Sequence, residues 1–295
     1  MKETLKRTIS EFREDNLTDW AAALTYYGVL ALFPAIIALV SIVGLFGDPD
    51  GTTDALSEIV SDLGPSSAAD TFRGPIEDIT ANRGTAGVLF FAGLAGALWG
   101  ASGFVGAFTR ASNVIYEVEE GRPFWKLRPL QIAVTLAMVL LAALASVALV
   151  LSGPLATSVG DAVGLSAAAV DIYQVAKWPV LALVLLTMTS LLYYAAPNVR
   201  VRGIRWVTPG SVLALAVWVV ASALFAFYVG NFGSYDKTYG TLGGVVSFLV
   251  WLWITNIALL LGAQLNSELE RSREIDAGIP GAAESIQLAP REAAE

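Results

Sequence analysis

The sequence predicts an all-α, polytopic membrane protein, and three observations carry that expectation. Of its 295 residues 55% are apolar and 15% charged, with a mean hydropathy of +0.62, well outside the range of a soluble domain. Six apolar runs each reach the roughly 20 residues that a helix needs to cross about 30 Å of hydrocarbon. The segments between those runs alternate between cation-rich and cation-poor. The runs occupy 20–46, 85–108, 130–152, 175–196, 207–230 and 241–264. They read as helices because a helix satisfies its backbone within one segment, whereas a barrel strand shows about 10 alternating residues.

Taken in order, residues 1–19 are polar, and Leu5, Ile9 and Phe12 recur at near-helical spacing with Lys2, Lys6 and Arg13 elsewhere. This predicts a basic amphipathic segment on the inner leaflet. The first apolar run is longer than the about 7–15 residues of a signal-peptide core, so an uncleaved span is expected. Pro34 inside it predicts a kink. After it, Asp48, Asp50, Asp54, Glu58, Asp62, Asp70, Glu77 and Asp78 face Arg73 and Arg83. That segment reads as a solvated acidic cap that favours solubility, in a salty medium or otherwise, over cation attraction. Leu56, Ile59, Val60 and Leu63 give it a helical rhythm.

The second span carries Gly93, Gly96, Gly100, Gly103 and Ala107 at spacings of three or four, and the first carries Gly28, Ala31, Ala35 and Ala38. Such strips let helix backbones approach where lipid supplies no hydrophobic drive, and packing is favoured over the wall of a pathway. Pro179 and Pro209 are expected near helix starts, where proline is tolerated. "RPFWKLRP" and "NVRVRGIRW" precede the third and fifth spans and join arginine to tryptophan. They predict interface collars that hold anionic headgroups: Arg122, Trp125, Lys126, Arg128, Arg200, Arg202, Arg205 and Trp206. The segment linking spans five and six, "YVGNFGSYDKTYGTLGG", lacks the G-K-[ST] ending of a phosphate loop, so Gly240 and Gly244 are read as packing glycines.

Fourteen of the eighteen Lys and Arg residues fall in the N-terminal segment, the second-to-third and fourth-to-fifth connections and the C-terminal segment. Cationic loops stay in the cytoplasm, which predicts both termini there. The expected organisation is a cytoplasmic amphipathic segment at 1–19, a six-helix membrane domain at 20–270 and a flexible cytoplasmic tail at 271–295.

The chain has no histidine and no cysteine, which removes imidazole and thiolate metal sites, a histidine base, a thiol nucleophile and disulfides. No carboxylate lies in the middle of a span, so neither an aspartyl intramembrane protease nor a proton relay at depth is expected. Glu117, Glu119 and Glu120 cluster beside four cations and read as surface charge balance rather than a magnesium site. No cofactor and no metal are expected.

Four stretches, "WAAALTYYGVLALFPAI", "WGASGFVGAFTRASNVIYEVEEGRPFWKLR", "PNVRVRGIRWVTPGSVLA" and "YVGNFGSYDKTYGTLGGVVSFLVWLWITNIALLLGAQLNSELE", together resemble the YihY/virulence factor BrkB family of integral membrane proteins. The resemblance runs from about Trp20 to Glu270 and implies six helices in the inner membrane and a role at the cell envelope, in transport or lipid handling. A ribonuclease label also attached to the family finds no support in a net charge of −8 with no basic face for RNA. Within the motif stretches, Tyr26, Tyr27, Ser102, Asn113, Asn231, Tyr235, Tyr239, Asn256 and Asn266 are the candidates for lining a path, or equally for joining helices, because amides are costly in lipid unless partnered. Membrane lipids and a lipid or amphipathic solute are the expected partners, with no nucleic acid; an envelope scaffold is the competing reading.

Overall fold

Residues 2–46, 83–150, 156–157, 166–201, 207–231 and 241–294 are described by the structure, a computed structural model. They form seven α-helices: α1 (Lys2–Glu14), α2 (Leu17–Phe46), α3 (Arg83–Ile115), α4 (Phe124–Val150), α5 (Ala167–Ala195), α6 (Pro209–Asn231) and α7 (Thr241–Asp276). The described residues contain no strand, and one isolated bridge joins Val199 to Pro290. Four of the helices are long and apolar enough to cross a membrane, over Phe124–Ser146, Ala167–Ala195, Pro209–Asn231 and Gly243–Asp276. The protein is thus a multi-pass membrane protein, helical throughout its described elements. The acidic segment with its expected helix at Leu56–Leu63 lies outside the described residues, as do the side chains around Pro34.

Each helix boundary has a local cause. Asn16 adopts φ 51°, a left-handed conformation that Asn tolerates. It ends α1 and, through its carbonyl, accepts from the backbone of Asp19 (2.9 Å) to open α2. Ser166 caps α5, its side chain accepting from Ala169 N–H at 3.3 Å. Thr208 and Ser211 cap α6 reciprocally: Ser211 N–H donates to Thr208 Oγ1 at 3.1 Å and Thr208 N–H to Ser211 Oγ at 3.0 Å. Pro209 takes the first helical position, as expected. Gly278, at φ 69°, follows α7, and Ile279 N–H returns to Glu274 O at 3.0 Å.

Three expectations are corrected. Pro179 does not sit near a helix start but well inside α5, because the Ser166 cap starts that helix eight residues before the apolar run that hydropathy picks out. Helix α7 does not end with its apolar run: its 36 residues reach about 54 Å at 1.5 Å each, and its polar end is held by partners from other elements. Finally, residues 277–294 are tied down rather than free. Arg200 N–H donates to Ala289 O and Arg291 N–H to Asn198 O, both at 3.0 Å, and Asn198 Nδ2 donates to Glu292 O at 2.8 Å.

The chain divides into two compact units. The first comprises Met1–Trp20, Phe108–Val220 and Ile257–Glu295. Its core holds Phe108, Ile115, Leu192, Val199 and Leu260, with Phe108 stacked on Tyr193 at 6.0 Å. Here α4 packs along α5, and Tyr173 Oη donates to Ala148 O at 3.0 Å. Its charged layer joins α1 to α7: Arg7 Nε pairs with Glu268 at 2.7 Å and Arg271 Nη1 with Glu11 at 3.1 Å. The second unit comprises Ala21–Ala107 and Ala221–Asn256, with Leu24 and Val105 buried.

Asp15 follows α1 beside this layer. Its burial, and then the charges of Glu11, Glu117, Glu14 and Glu268, push its carboxyl up to about 6 from 3.8. A carboxyl raised on folding favours the folded state most when protonated, so the stability it adds is present below its unfolded pKa and is lost as pH rises through about 6. Because the chain has no histidine, the window from pH 5 to 7 is free of imidazole titration. Thermal melts in detergent are expected to show a higher midpoint at pH 5 than at pH 7. Asp15→Asn should add on the order of 1 kcal/mol of stability at pH 7, allowing for solvent screening, raise the pH 7 midpoint accordingly and flatten the difference.

Candidate functional site

Two places in the structure collect the polar residues of the motif stretches, one in each unit. In the second unit, Ala22, Thr25, Tyr26 and Val29 of α2 and Leu249, Val250 and Trp253 of α7 line an open, almost wholly apolar groove of ≈ 420 Å³. This falls in the range of roughly 300–1,000 Å³ typical of ligand pockets. Tyr26 is 61% exposed, and its ring meets that of Tyr27 edge-on at 5.5 Å. Behind the groove wall, the buried Asn256 Nδ2 donates to Thr25 Oγ1 at 3.1 Å, and Thr25 Oγ1 donates to Ala21 O at 2.8 Å. The amide is thus partnered, as a polar group at membrane depth must be.

The small residues of α2 and α3 have a graded role in this unit. A Cβ on Gly103 would come within 3.2 Å of Tyr27 Cδ1, and one on Gly28 within 3.4 Å of Leu252 Cδ2. Gly100 is half-buried and Gly96 exposed, while of Gly93 only its place in α3 is described. Ser102 is buried and donates to Trp99 O at 2.6 Å. Gly244 differs from the packing reading: a Cβ there would meet nothing within 4 Å among the described residues. Asn231 ends α6, exposed, its Nδ2 donating to Phe227 O at 2.8 Å. Tyr235, Tyr239 and Gly240 lie outside the described residues.

In the first unit, Asn266 and its neighbours form a tighter polar centre. Asn266 Oδ1 accepts from Gly210 N–H at 2.8 Å and its Nδ2 donates to Thr208 Oγ1 at 3.0 Å, so a side chain of α7 caps α6. Contact between those two helices is backbone on backbone. A Cβ on Gly210 would fall 2.0 Å from Gly262 O, and one on Gly262 2.4 Å from both Gly210 O and Tyr193 Oη. Tyr193 Oη donates to Leu259 O at 2.6 Å and Ser190 Oγ to Ser211 Oγ at 3.0 Å. The adjoining cavity, bordered by Tyr116, Tyr194, Glu270 and Arg273, measures ≈ 60 Å³, which is room for a few waters and too little for a lipid.

Asn113, the other motif amide of this unit, works as a joint. Its Nδ2 donates to Glu120 at 2.9 Å and its Oδ1 accepts from Asn198 N–H at 2.8 Å. Glu120 in turn receives Arg122 Nη2 and Nε, each at 2.7 Å. Burial would raise the Glu120 carboxyl, but the hydrogen bonds from Arg122 and Asn113 outweigh it and hold the group below its usual range. Arg122 is buried, and its guanidinium also donates to Ala196 O at 2.7 Å and Ala195 O at 3.4 Å. The sequence expectation of a lipid-facing Arg122 is therefore corrected: helix ends and a carboxylate have taken its donors. Glu120 is charge-balanced by Arg122, with Asn113 as a further donor.

The remaining collar residues divide. Trp125 is 74% exposed, and the exposed Lys126 pairs with Glu292 at 2.8 Å. Arg128 is half-buried and donates to Gln131 Oε1 at 3.2 Å. Arg200 has an exposed side chain. Arg202, Arg205 and Trp206 lie outside the described residues. Sequence reasoning missed Gly210 and Gly262, the tightest glycine contact found. Thr-Pro-Gly-Ser at 208–211 was the available signal, since it is both a helix start and a site of close approach.

With the geometry in view, comparison with known proteins places the chain. The profile of the family described as "Virulence factor BrkB" matches residues 8–287. The chain belongs to the virulence factor BrkB family. Among members and relatives of the BrkB family it is 33% identical over 271 residues to "Putative ribonuclease-like protein YfkH" of Bacillus subtilis, covering 92% of this chain and 96% of that one. It is 31% identical over 261 residues to "UPF0761 membrane protein" of Alkalilimnicola ehrlichii and 27% over 272 residues to the protein of that name from Halorhodospira halophila. Those alignments cover 88% and 90% of this chain but 56% of each relative, so the chain spans little more than half the length of these two BrkB relatives. No solved structure matches it.

Two substitutions separate close approach from a mere glycine. Gly210→Ala should lower stability by about 1–3 kcal/mol or more, because the methyl meets backbone, whereas Gly244→Ala should be neutral or slightly stabilising. Tryptophan-fluorescence melts in detergent compare them. By the same measurement Arg122→Gln should cost about 3 kcal/mol or more, as it strands Glu120 and two helix-end carbonyls.

Proposed function

We propose that this protein is an integral cytoplasmic-membrane protein of the cell envelope that moves or shields a lipid or other amphipathic solute without catalysing a reaction. The observation that carries the reading is the α2–α7 groove: ≈ 420 Å³, open, lined by Val29, Leu249, Val250 and Trp253, with Tyr26 and Thr25 as its polar members. Such a lining suits an acyl chain beside a headgroup that accepts or donates one or two hydrogen bonds. An ion or a sugar would find too few polar partners there to replace its water.

The same reading takes the chain to cross the membrane six times with both termini in the cytoplasm. Hydrogen bonds join α1 to α7, the α3–α4 connection to residues 195–198 and those residues to the C-terminal segment. An even number of crossings between these segments brings them to one face. Their richness in Lys and Arg supports the cytoplasmic face. Charge coupling at mid-membrane depth has no part in it. The collar residues Trp125, Lys126, Arg128, Arg200, Arg202, Arg205 and Trp206 would hold anionic headgroups around the bundle.

Reconstitution into liposomes with fluorescent phospholipids and amphipathic drugs tests the proposal. Wild-type protein should accelerate movement of at least one of them between leaflets. Tyr26→Ala and Trp253→Ala should each slow that movement several-fold with the protein still folded. Absence of any movement by folded protein, together with loss of cellular function on exchanging residues 47–82, would replace this reading by an envelope scaffold.

A further inference from the structure

Helix α1 is packed the reverse of a helix on a water-soluble protein. Its inward side is polar: Thr8 is 2% exposed, Thr4 Oγ1 lies 3.1 Å from Ser272 Oγ, and Arg7 donates to Glu268 and to Ser272 Oγ, each at 2.7 Å. Its outward side is apolar, with Leu5 43% and Ile9 55% exposed and Phe12 half-buried between the two sides. At roughly 100° per residue, the exposed Lys2, Lys6 and Arg13 fall within about 60° of Ile9, along one edge of the apolar strip. Water on that face would leave two branched aliphatic side chains solvated while threonines are buried, an arrangement opposite to the ordinary burial order.

From this inversion and the cation edge we infer that α1 is a docking surface for the anionic leaflet of the bilayer, with Leu5 and Ile9 seated among the acyl chains and Lys2, Lys6 and Arg13 on lipid phosphates. An apolar strip flanked by cations is the pattern by which interfacial helices hold anionic lipid. The inward ion pairs fix which side faces out: rotating α1 to bury Leu5 would pull Arg7 from Glu268, itself nearly wholly buried. The inference extends beyond lipid or solute movement, since it assigns a separate surface, and it stands whether or not the groove carries anything.

The chain contains no cysteine, so single-site labelling tests it directly on this whole chain. Ile9→Cys and Glu3→Cys, both at exposed positions, are labelled with an environment-sensitive fluorophore and reconstituted into phosphatidylcholine vesicles with or without phosphatidylglycerol. With phosphatidylglycerol present, the probe at position 9 should shift to the blue and be quenched several-fold more by brominated acyl chains than the probe at position 3. Replacing Lys2, Lys6 and Arg13 together by Gln should remove the gain from phosphatidylglycerol. Equal acrylamide quenching at the two positions in phosphatidylglycerol vesicles would overturn the inference. So would a position 9 signal that depends on protein concentration and ignores brominated lipid, which would mean that a second copy covers the face.

Discussion

Arg122 finishes two structural tasks with one side chain, and the first unit depends on both. A helix leaves its last carbonyls without partners, and where they are buried, as at Ala195 and Ala196, the protein itself must supply donors. The guanidinium supplies donors to the carbonyls of Ala195 and Ala196 at the end of α5 while its remaining donors hold Glu120 in the connection after α3. Asn113 adds the second tie, from Glu120 to the backbone of Asn198. The guanidinium, carboxylate and amide are each planar groups with several donors or acceptors, which suits a layer where several backbone groups must be satisfied at once.

Beyond this layer the two units solve the problem of polar groups in different ways. In the first, glycine at 210 and 262 lets α6 and α7 meet at the backbone, and Asn266 uses that closeness to cap α6. The space left over is water-sized. In the second, Thr25, Tyr26 and Val29 of α2 and Leu249, Val250 and Trp253 of α7 border an open apolar groove. Behind its wall the buried amide of Asn256 donates to Thr25 Oγ1. One family fold thus holds a tightly hydrogen-bonded polar region in the first unit and an open apolar groove in the second.

Much of the fold was legible in the sequence because long apolar runs translate directly into helices, and hydropathy placed most helix ends to within a turn or so. The exceptions are instructive. Helix α7 runs on past its apolar run because Ser267, Glu268 and Arg271 find partners in other elements, and α5 starts early because Ser166 caps it. Neither signal is a matter of hydropathy. At the candidate site, the sequence brought forward Tyr26 and Asn256, which the structure sets on neighbouring positions of one groove region. It gave no sign that Arg122 turns inward, because an arginine beside a tryptophan reads the same whether its partner is a phosphate or a helix end. The ordering of residues 289–292 was equally hidden, since each tie is a single residue with a partner some ninety positions away.

That last feature sets an order of events during synthesis. Asn198 needs the carbonyl of Glu292, which lies 94 residues later in the chain, and at about 5–20 residues per second that partner is made roughly 5–20 s afterwards. Over that interval α6 and α7 are being delivered to the bilayer while the layer beneath them still lacks its closing strand of contacts. Residues 289–292 therefore join the layer only after α6 and α7 have been synthesised.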